Sequence, residues 1–333
     1  MCEDPVQRTN DDATHCKRSA VGLGYWKDPY LGAFGSNPSY SDEARKAPEI
    51  HLGYYTRVSA IWRLIVKSLN RVAELQGQKI QIVNLGAGYD TLFWRLTDYL
   101  EQIQRPDLLH SFVDIDLPEV TARKCLYVRK SKLLLSRVAG DGNEEVKFSR
   151  TDLHGLKYHT VAANFTDLNL MERKLQECSG FRFDVPTLFI AKCVFVYIDP
   201  IKVSHFLKWI TTSFHASVGL INHEQLNIYD KFGQVMLENL SHRGCSLPGI
   251  EACRNKTTHV DRLLTADWHA GFCWTMNEVY NMIPKDEIER VEKIEFLDER
   301  ELVSQLFEHY CVSFGWKNKS SINSINFDDI DLW

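Results

Sequence analysis

The sequence predicts an α/β protein built around a mostly parallel sheet. Segments with a strand pattern alternate with helical segments along most of the 333 residues. The clearest strand pattern, the apolar run from Ile80 to Leu85, leads directly into Gly86 and Gly88. A second predicted strand, from Leu109 to Ile115, is followed by Asp116. Glycines after one strand and a carboxylate after the next are typical of the ligand-binding edge of such a sheet.

The remaining elements are predicted from hydrophobic period and from turn residues. We expect residues 1–12 to be flexible and residues 13–333 to form a single domain that begins with a helical extension, 13–78. Apolar residues at helical spacing indicate two helices in that extension, and alternating segments follow it. The predicted helices are Ala13–Tyr30, Pro48–Leu75, Asp167–Cys178 and Pro200–Ser213, and the further strands are Tyr158–Asn164, Thr187–Ile198, Ser217–Glu224 and Cys311–Trp316.

Residues 225–275 interrupt this alternation. Because an insertion after the carboxyl end of a strand lies where α/β proteins bind ligands, the segment is a candidate substrate lid. A peripheral insert that only packs on the domain is the alternative.

Composition excludes several classes of protein. A hydrophobic content of 44% supports a large folded core, and a net charge of −5 argues against an electrostatic grip on nucleic acid. No apolar run reaches the length of a membrane span, and no secretory signal is expected. The nine cysteines contain no Cys-x-x-Cys pair, so neither a metal site nor a disulfide framework is predicted. A reducing, cytoplasmic location fits this pattern best.

The glycine turn narrows the class of ligand. If Gly86 is the first glycine of a dinucleotide fingerprint, the third falls at position 91, where this chain has Thr91. A nucleoside without phosphates therefore fits better than a dinucleotide, and S-adenosylmethionine is the commonest such ligand. The two glycines alone are also compatible with a simple tight turn.

The acidic residues after the second strand strengthen the ligand hypothesis. Asp114 and Asp116 are two residues apart, so their side chains point to the same face of an extended strand. A carboxylate in this place accepts hydrogen bonds from ribose hydroxyls. The alternative is that both only cap the following helix.

Six motifs are distributed along the chain. They are HCKRSAVGLGYWKDPY (His15–Tyr30), RKAPEIHLGYYTRV (Arg45–Val58), IVNLGAGYDTLFWRL (Ile82–Leu96), VDIDLP (Val113–Pro118), IAKCVFVYI (Ile190–Ile198) and NHEQLNIYDKFGQVMLENL (Asn222–Leu240). Taken together they resemble the leucine carboxyl methyltransferases. The resemblance extends from about residue 14 to 312 and implies a class I S-adenosylmethionine-dependent methyltransferase fold, Rossmann-like, with seven strands. It also implies methylation of the carboxyl-terminal leucine of a protein phosphatase 2A catalytic subunit, which would be the partner. We expect a monomer that binds neither nucleic acid nor a membrane.

The resemblance assigns roles to individual residues. Arg57 and Lys17 match positions that contact the cofactor, and an arginine can pair with the methionine carboxylate through two hydrogen bonds. Gly86 and Asp116 match cofactor positions as well, and Gly88 belongs to the same turn. Asn164 and Phe165 stand where the family usually has aspartate and leucine beside the adenine. Tyr197 resembles the tyrosine next to the reacting carboxylate, which makes it the candidate catalytic residue.

Lys192 departs from the family pattern, because the family has a glutamate facing the amino-acid part of the cofactor at this position. A lysine near the ammonium and sulfonium would repel both, on the order of 4 kcal/mol at about 4 Å in an effective dielectric near 20. Two further functions therefore stay open. One is a catalytically impaired relative that binds the phosphatase without methylating it. The other is an unrelated small-molecule O-methyltransferase. If the protein is active, an acidic group should lie within salt-bridge reach of Lys192.

Overall fold

The computed structural model describes residues 5–35, 46–75, 77–140, 145–320, 325–328 and 330–332. Within these ranges, nine strands form one sheet in the order β3-β4-β5-β2-β1-β6-β7-β9-β8. The strands are β1 (Ile80–Leu85), β2 (Leu109–Asp116), β3 (Lys147–Phe148), β4 (Leu153–His154), β5 (Tyr158–Ala162), β6 (Thr187–Lys192), β7 (Val218–Gln225), β8 (Ala270–Thr275) and β9 (Tyr310–Lys317).

Five parallel strands, β5-β2-β1-β6-β7, make the centre of the sheet. At one side β9 runs antiparallel to both β7 and β8. The predicted α/β class is therefore correct, but the predicted count of seven strands is two short. The additional strands, β3 and β4, contain two residues each and extend the sheet beyond β5 by antiparallel pairing. A period of two cannot be recognised in so short a segment.

Strand β1 lies between β2 and β6 and is buried along its whole length. Its side chains alternate between two hydrophobic cores, because successive residues of a strand point to opposite faces. Ile82 belongs to one core, and Val83 and Leu85 belong to the other. This two-sided burial explains the continuous apolar run in the sequence.

Twelve helices of the described chain cover the two faces. They are α1 (Pro5–Leu23), α2 (Pro48–Ala73), α3 (Leu92–Gln102), α4 (Pro118–Lys130), α5 (Lys132–Ala139), α6 (Leu168–Glu177), α7 (Pro200–Ser213), α8 (Lys231–His242), α9 (Lys256–Thr265), α10 (Met276–Met282), α11 (Lys285–Glu292) and α12 (Arg300–Glu308). Helix α1 corrects the prediction that residues 1–12 are flexible, since residues 5–12 are helical and residues 1–4 lie outside the described ranges. It ends before Gly24, whose φ of 93° a helix cannot continue.

Two predicted boundaries are wrong for identifiable reasons. The strand expected at Thr187–Ile198 ends at Lys192, because Cys193 has a φ of 55° and a short 3-10 helix follows at Phe195–Tyr197. The segment 225–275, predicted as a candidate lid, is in part a component of the domain body. Strand β8 pairs with β9 along its length, and Leu263 of α9 is part of a hydrophobic core, so both elements belong to the body of the domain.

None of the helices in the described part of the chain combines the length and apolar character needed to cross a membrane. The described cysteines, which exclude Cys2, are all free thiols.

A buried ion pair fixes the carboxyl half of β2 against α4. The Lys124 ammonium lies 2.6 Å from Asp114 Oδ2, and both side chains are almost fully shielded from solvent. Tyr158 donates its hydroxyl proton to the same oxygen at 2.6 Å. Asp114 and Asp116 share a face of the strand as expected, but Asp114 is committed to this core contact.

We predict that Asp114→Ala lowers the free energy of unfolding by about 3–5 kcal/mol, because it leaves the Lys124 ammonium buried without a counter-charge. Urea denaturation measures this loss. The matched control is Asp184→Ala, which breaks the exposed Arg182–Asp184 pair and should change the unfolding midpoint little. Equal effects of the two substitutions would contradict the assignment.

Candidate active site

A cavity of about 690 Å³ opens at the carboxyl ends of the central strands. Helices α1 and α2 form the opposite wall. This is the edge at which parallel α/β sheets bind their ligands. All nine residues predicted from the sequence line this one cavity: Lys17, Arg57, Gly86, Gly88, Asp116, Asn164, Phe165, Lys192 and Tyr197.

The glycine turn forms the floor of the cavity. Gly86 and Gly88 have φ values of 54° and 50°, in the left-handed region that glycine adopts without strain. A Cβ on Gly86 would lie 2.6 Å from a methyl carbon of Val194. The backbone N–H of Gly88 donates to Asp116 Oδ2 at 2.7 Å, so the turn and the carboxylate hold each other in place.

Asp116 has its other oxygen, Oδ1, bonded to the N–H of Leu117 at 2.7 Å. Burial raises the pKa of Asp116, and the two backbone hydrogen bonds oppose this rise. Each carboxylate oxygen has more than one acceptor position, so Asp116 can still accept a ribose hydroxyl from the cavity.

Helix α1 reaches over the glycine turn, a contact that the sequence did not suggest. Asn10 Oδ1 accepts the backbone N–H of Tyr89 at 3.0 Å, and a Cβ on Gly88 would collide with the Asn10 amide. Lys17 projects from the same helix two turns later. The segment expected to be flexible therefore forms part of the wall.

Two basic residues, Lys17 of α1 and Arg57 of α2, line the helical wall of the cavity. Burial lowers the pKa of Lys17 to about 8. The positive charges of Lys192 and Arg57 also lower this pKa, and the negative charge of Asp90 raises it. Arg57 lies over the ring of Tyr54, with its guanidinium carbon 5.6 Å from the ring centre. Their charges suit a carboxylate bound between them.

Lys192 does not extend freely into the cavity. Its ammonium forms an ion pair with Asp90 Oδ2 and donates to Asn84 Oδ1 at 2.9 Å. Burial lowers the pKa of Lys192, and Asp90 opposes this change. Burial alone would raise the pKa of Asp90, but Lys192 and Lys17 bring it well below the usual range. An acidic group therefore lies within salt-bridge reach of Lys192, as expected if the protein is active, although the sequence analysis had not singled out Asp90.

Tyr197 lies on the 3-10 helix after β6 and faces the cavity. Burial raises the pKa of its hydroxyl, which therefore stays protonated near neutral pH. The turn that carries it is held by Glu224 of β7, whose Oε1 accepts the N–H of Val196 at 3.2 Å. Glu224 is fully buried, and Arg262 Nη1 lies 3.7 Å from its Oε2. Burial raises the pKa of Glu224 to about 7 despite the arginine.

The predicted adenine contacts differ from each other in their surroundings. Phe165 is buried, with its ring centre 4.7 Å from that of Phe206, so its position is fixed by packing. Asn164 is exposed, and its Oδ1 accepts hydrogen bonds from the N–H and hydroxyl of Thr166 at 3.1 and 2.8 Å. The local turn thus uses the Asn164 oxygen, the acceptor that a contact with the adenine amino group would need.

The sequence analysis also missed a half-buried cysteine on the cavity wall. Cys193 Sγ lies 3.3 Å from His223 Nδ1, and the strained backbone of Cys193 directs this contact. Burial raises the pKa of Cys193 to about 12 and lowers the pKa of His223 well below its usual value. This pair is therefore uncharged at neutral pH and is unlike the thiolate–imidazolium pair of a cysteine nucleophile.

Fold and cavity together define a class I methyltransferase. Apart from β3 and β4, the strand order is that of this class, in which the last strand is inserted antiparallel between its neighbours.

Comparison with known proteins identifies the family. The leucine carboxyl methyltransferase family model matches residues 6–211, more than half of the chain. Leucine carboxyl methyltransferase 1 of Bos taurus is 39% identical over 323 residues, covering 96% of this chain and 92% of that protein. The protein of the same name from Rattus norvegicus is 38% identical, with coverages of 94% and 90%. The Arabidopsis thaliana homologue is 31% identical, with coverages of 93% and 88%. The chain belongs to the leucine carboxyl methyltransferase family.

We predict a pH-dependent stability that originates at Glu224. A pKa raised from 4.5 to about 7 on folding gives stability that is fully present below pH 4.5 and is lost as the pH rises through 7. Glu224→Gln removes this titration. The free energy of unfolding of the native chain, relative to that of the variant, should therefore fall by up to about 3 kcal/mol across this window. Urea denaturation at several pH values tests this, and a constant difference would contradict it.

Proposed function

We propose that this protein transfers a methyl group from S-adenosylmethionine to the α-carboxylate of the carboxyl-terminal leucine of a protein phosphatase 2A-type catalytic subunit. The observation that carries the proposal is the convergence of a glycine turn, a ribose-type carboxylate, two basic residues and a tyrosine on one cavity. The names of the similar proteins state a leucine carboxyl group as the methylated group, which supports the acceptor chemistry. The phosphatase subunit follows from the family resemblance.

The cavity residues fit this cofactor by chemical type. Arg57 and Lys17 would hold the methionine carboxylate, and Asp116 would accept the ribose hydroxyls. Phe165 would pack on the adenine, and Asn164 would contact its edge. Gly86 and Gly88 have no side chains and would form the floor against which the nucleoside lies. When bound, the cofactor supplies an electrophilic methyl group on its sulfonium.

The acceptor needs no general base. An α-carboxylate has a pKa near 3.5 and is already an anion at neutral pH. The chain therefore has to position the carboxylate and exclude water rather than move a proton. The protonated hydroxyl of Tyr197 can donate a hydrogen bond that orients the carboxylate. The uncharged state of the Cys193–His223 pair agrees with a reaction that uses neither a nucleophile nor a base.

The second candidate, a relative that binds the phosphatase without methylating it, is favoured by the presence of a lysine at position 192. However, Lys192 is paired with Asp90, and this counter-charge supports an active enzyme. Lys192 and Asn84 both contact Oδ2 of Asp90. We propose that Asp90 Oδ1 accepts a hydrogen bond from the cofactor ammonium, the role that the resemblance gives to the family glutamate.

The proposed activity is tested by incubating the protein with a purified phosphatase 2A-type catalytic subunit and S-adenosylmethionine labelled in its methyl group. We expect label on the terminal carboxyl, released by mild base as for an ester. Tyr197→Phe should lower the rate by about tenfold or more while leaving cofactor affinity unchanged. Binding of the subunit without transfer supports the impaired relative, and absence of both would favour a small-molecule acceptor.

The role of Asp90 is tested by calorimetric titration with S-adenosylmethionine and S-adenosylhomocysteine, which differ in the sulfonium charge. Asp90→Asn should weaken binding of both by about tenfold or more, since it removes the ammonium acceptor and frees Lys192. The double variant Asp90→Asn/Lys192→Met should recover affinity for S-adenosylmethionine more than affinity for S-adenosylhomocysteine. The reason is that removing the Lys192 ammonium removes its repulsion of the sulfonium. Additive effects of the two substitutions would contradict their coupling.

We also expect the protein to act as a monomer on the phosphatase subunit in a reducing, cytoplasmic compartment. The free thiols of the described cysteines agree with such a compartment.

A further inference from the structure

Three potential metal ligands meet at the far edge of the sheet, away from the cavity. His154 of β4 and His159 of β5 are direct partners in the antiparallel register, so their side chains lie on the same face. Their Nδ1 atoms are 3.2 Å apart. Cys178, the residue after α6, places its Sγ so that all three atoms lie within 4.8 Å of one another.

Hydrogen bonding prepares His159 as a ligand. Its Nε2 lies 3.1 Å from the backbone oxygen of Ser179. A carbonyl oxygen only accepts hydrogen bonds, so Nε2 carries the proton and Nδ1 of the neutral ring presents a lone pair to the cluster. Zinc-bound histidines are commonly oriented by such a bond from their other nitrogen.

The spacing of the three atoms also suits a tetrahedral ion. Zinc–nitrogen bonds of about 2.0–2.1 Å at a tetrahedral angle place two nitrogens about 3.3 Å apart. This agrees with the observed 3.2 Å. A zinc-bound sulfur lies about 3.6 Å from each nitrogen by the same geometry. The three atoms lie within 4.8 Å of one another, so Cys178 Sγ has to come closer to the nitrogens by at most about 1.2 Å.

We propose that His154, His159 and Cys178 bind one zinc ion. Two neutral imidazoles and one thiolate supply three ligands of the tetrahedral set that zinc prefers, and water completes it from the partly exposed side of His154. In the metal-free pair His154 Nδ1 donates to His159 Nδ1, so on binding the proton of His154 moves to its Nε2 and the Nδ1–Nδ1 hydrogen bond is lost. The thiol releases its proton to solvent and loses its hydrogen bond to the Lys174 carbonyl oxygen, at 3.3 Å. Affinity therefore falls as the pH is lowered.

The site has a structural position. It joins the short strand β4 and the amino end of β5 to the carboxyl end of α6. Strands β3 and β4 have only two residues each and form the edge of the sheet. An ion at this point ties this weakly paired edge to a buried helix end.

Cobalt(II) replaces zinc as a coloured probe in the purified, metal-free protein. We expect one equivalent to give a thiolate-to-cobalt band in the near ultraviolet and the intense visible bands of a tetrahedral site. Zinc should displace it. Cys178→Ala should abolish the ultraviolet band, and His154→Ala should weaken affinity by at least about tenfold, since even outer-shell partners of metal ligands contribute about 10- to 100-fold.

The matched control is Cys273→Ala, because Cys273 and Cys311 are the described thiols that interact with each other and could bind cobalt independently. This variant should keep the bands. Circular dichroism of the metal-free Cys178→Ala protein checks that it is folded, and zinc should raise the melting temperature of the native chain but not of this variant. If cobalt gives no thiolate band in the native chain, or the same band in Cys178→Ala, the cluster is only a hydrogen-bonded histidine pair and the proposal is wrong.

Discussion

The candidate active site depends on a buried polar network centred on Asn84. This residue of β1 is fully buried and contacts charged groups from three neighbouring elements. Its amide nitrogen donates to Asp114 Oδ1 at 2.8 Å and to Asp90 Oδ2 at 3.3 Å, and its oxygen accepts from Lys192. Lys124 joins the network through Asp114 and through the backbone oxygen of Asp90 at 3.2 Å. Two lysines thus balance two aspartates in a region where an unpaired charge is costly.

This balance changes the meaning of the lysine at position 192. A glutamate there would place a third carboxylate beside Asp90 and Asp114, with Lys124 as the nearest cation within the network. Lysine instead gives the network two lysines for its two aspartates. The other lysines and arginines that line the cavity are Lys17, Arg57, Arg95 and Arg243. On our proposal the basic side chains would bind the ligand carboxylate and Asp90 would bind the ligand ammonium. The replacement at position 192 would then move the ammonium acceptor from one side chain to its neighbour in the network.

The sequence was informative where local pattern and burial coincide. Helix α2 and the central strands are predictable from hydrophobic pattern because their apolar residues are buried. The glycine turn is predictable from the two glycines that follow β1. Residues joined by long-range contacts were not predictable in this way. Asp90 pairs with a lysine about a hundred positions later, and Asn10 meets the turn at Tyr89 only because α1 folds back over the sheet. Cys193 ends β6 early through a backbone conformation that its residue type does not favour. The predicted insertion at 225–275 included β8 because this strand is recognisable only from its long-range pairing with β9.

The unit formed by β5 and α6 connects the two sites that the structure suggests. The turn that joins β5 to α6, at Asn164 and Phe165, lines the cavity. The opposite end of the unit carries His159 and Cys178. Asp167 caps the start of α6 at the cavity end by accepting the N–H of Leu170. An ion bound at the other end would fix the helix with respect to the strand without approaching the ligand. Such an ion would act on the stability of the sheet edge and not on methyl transfer, so metal binding and cofactor binding are separable properties of this fold.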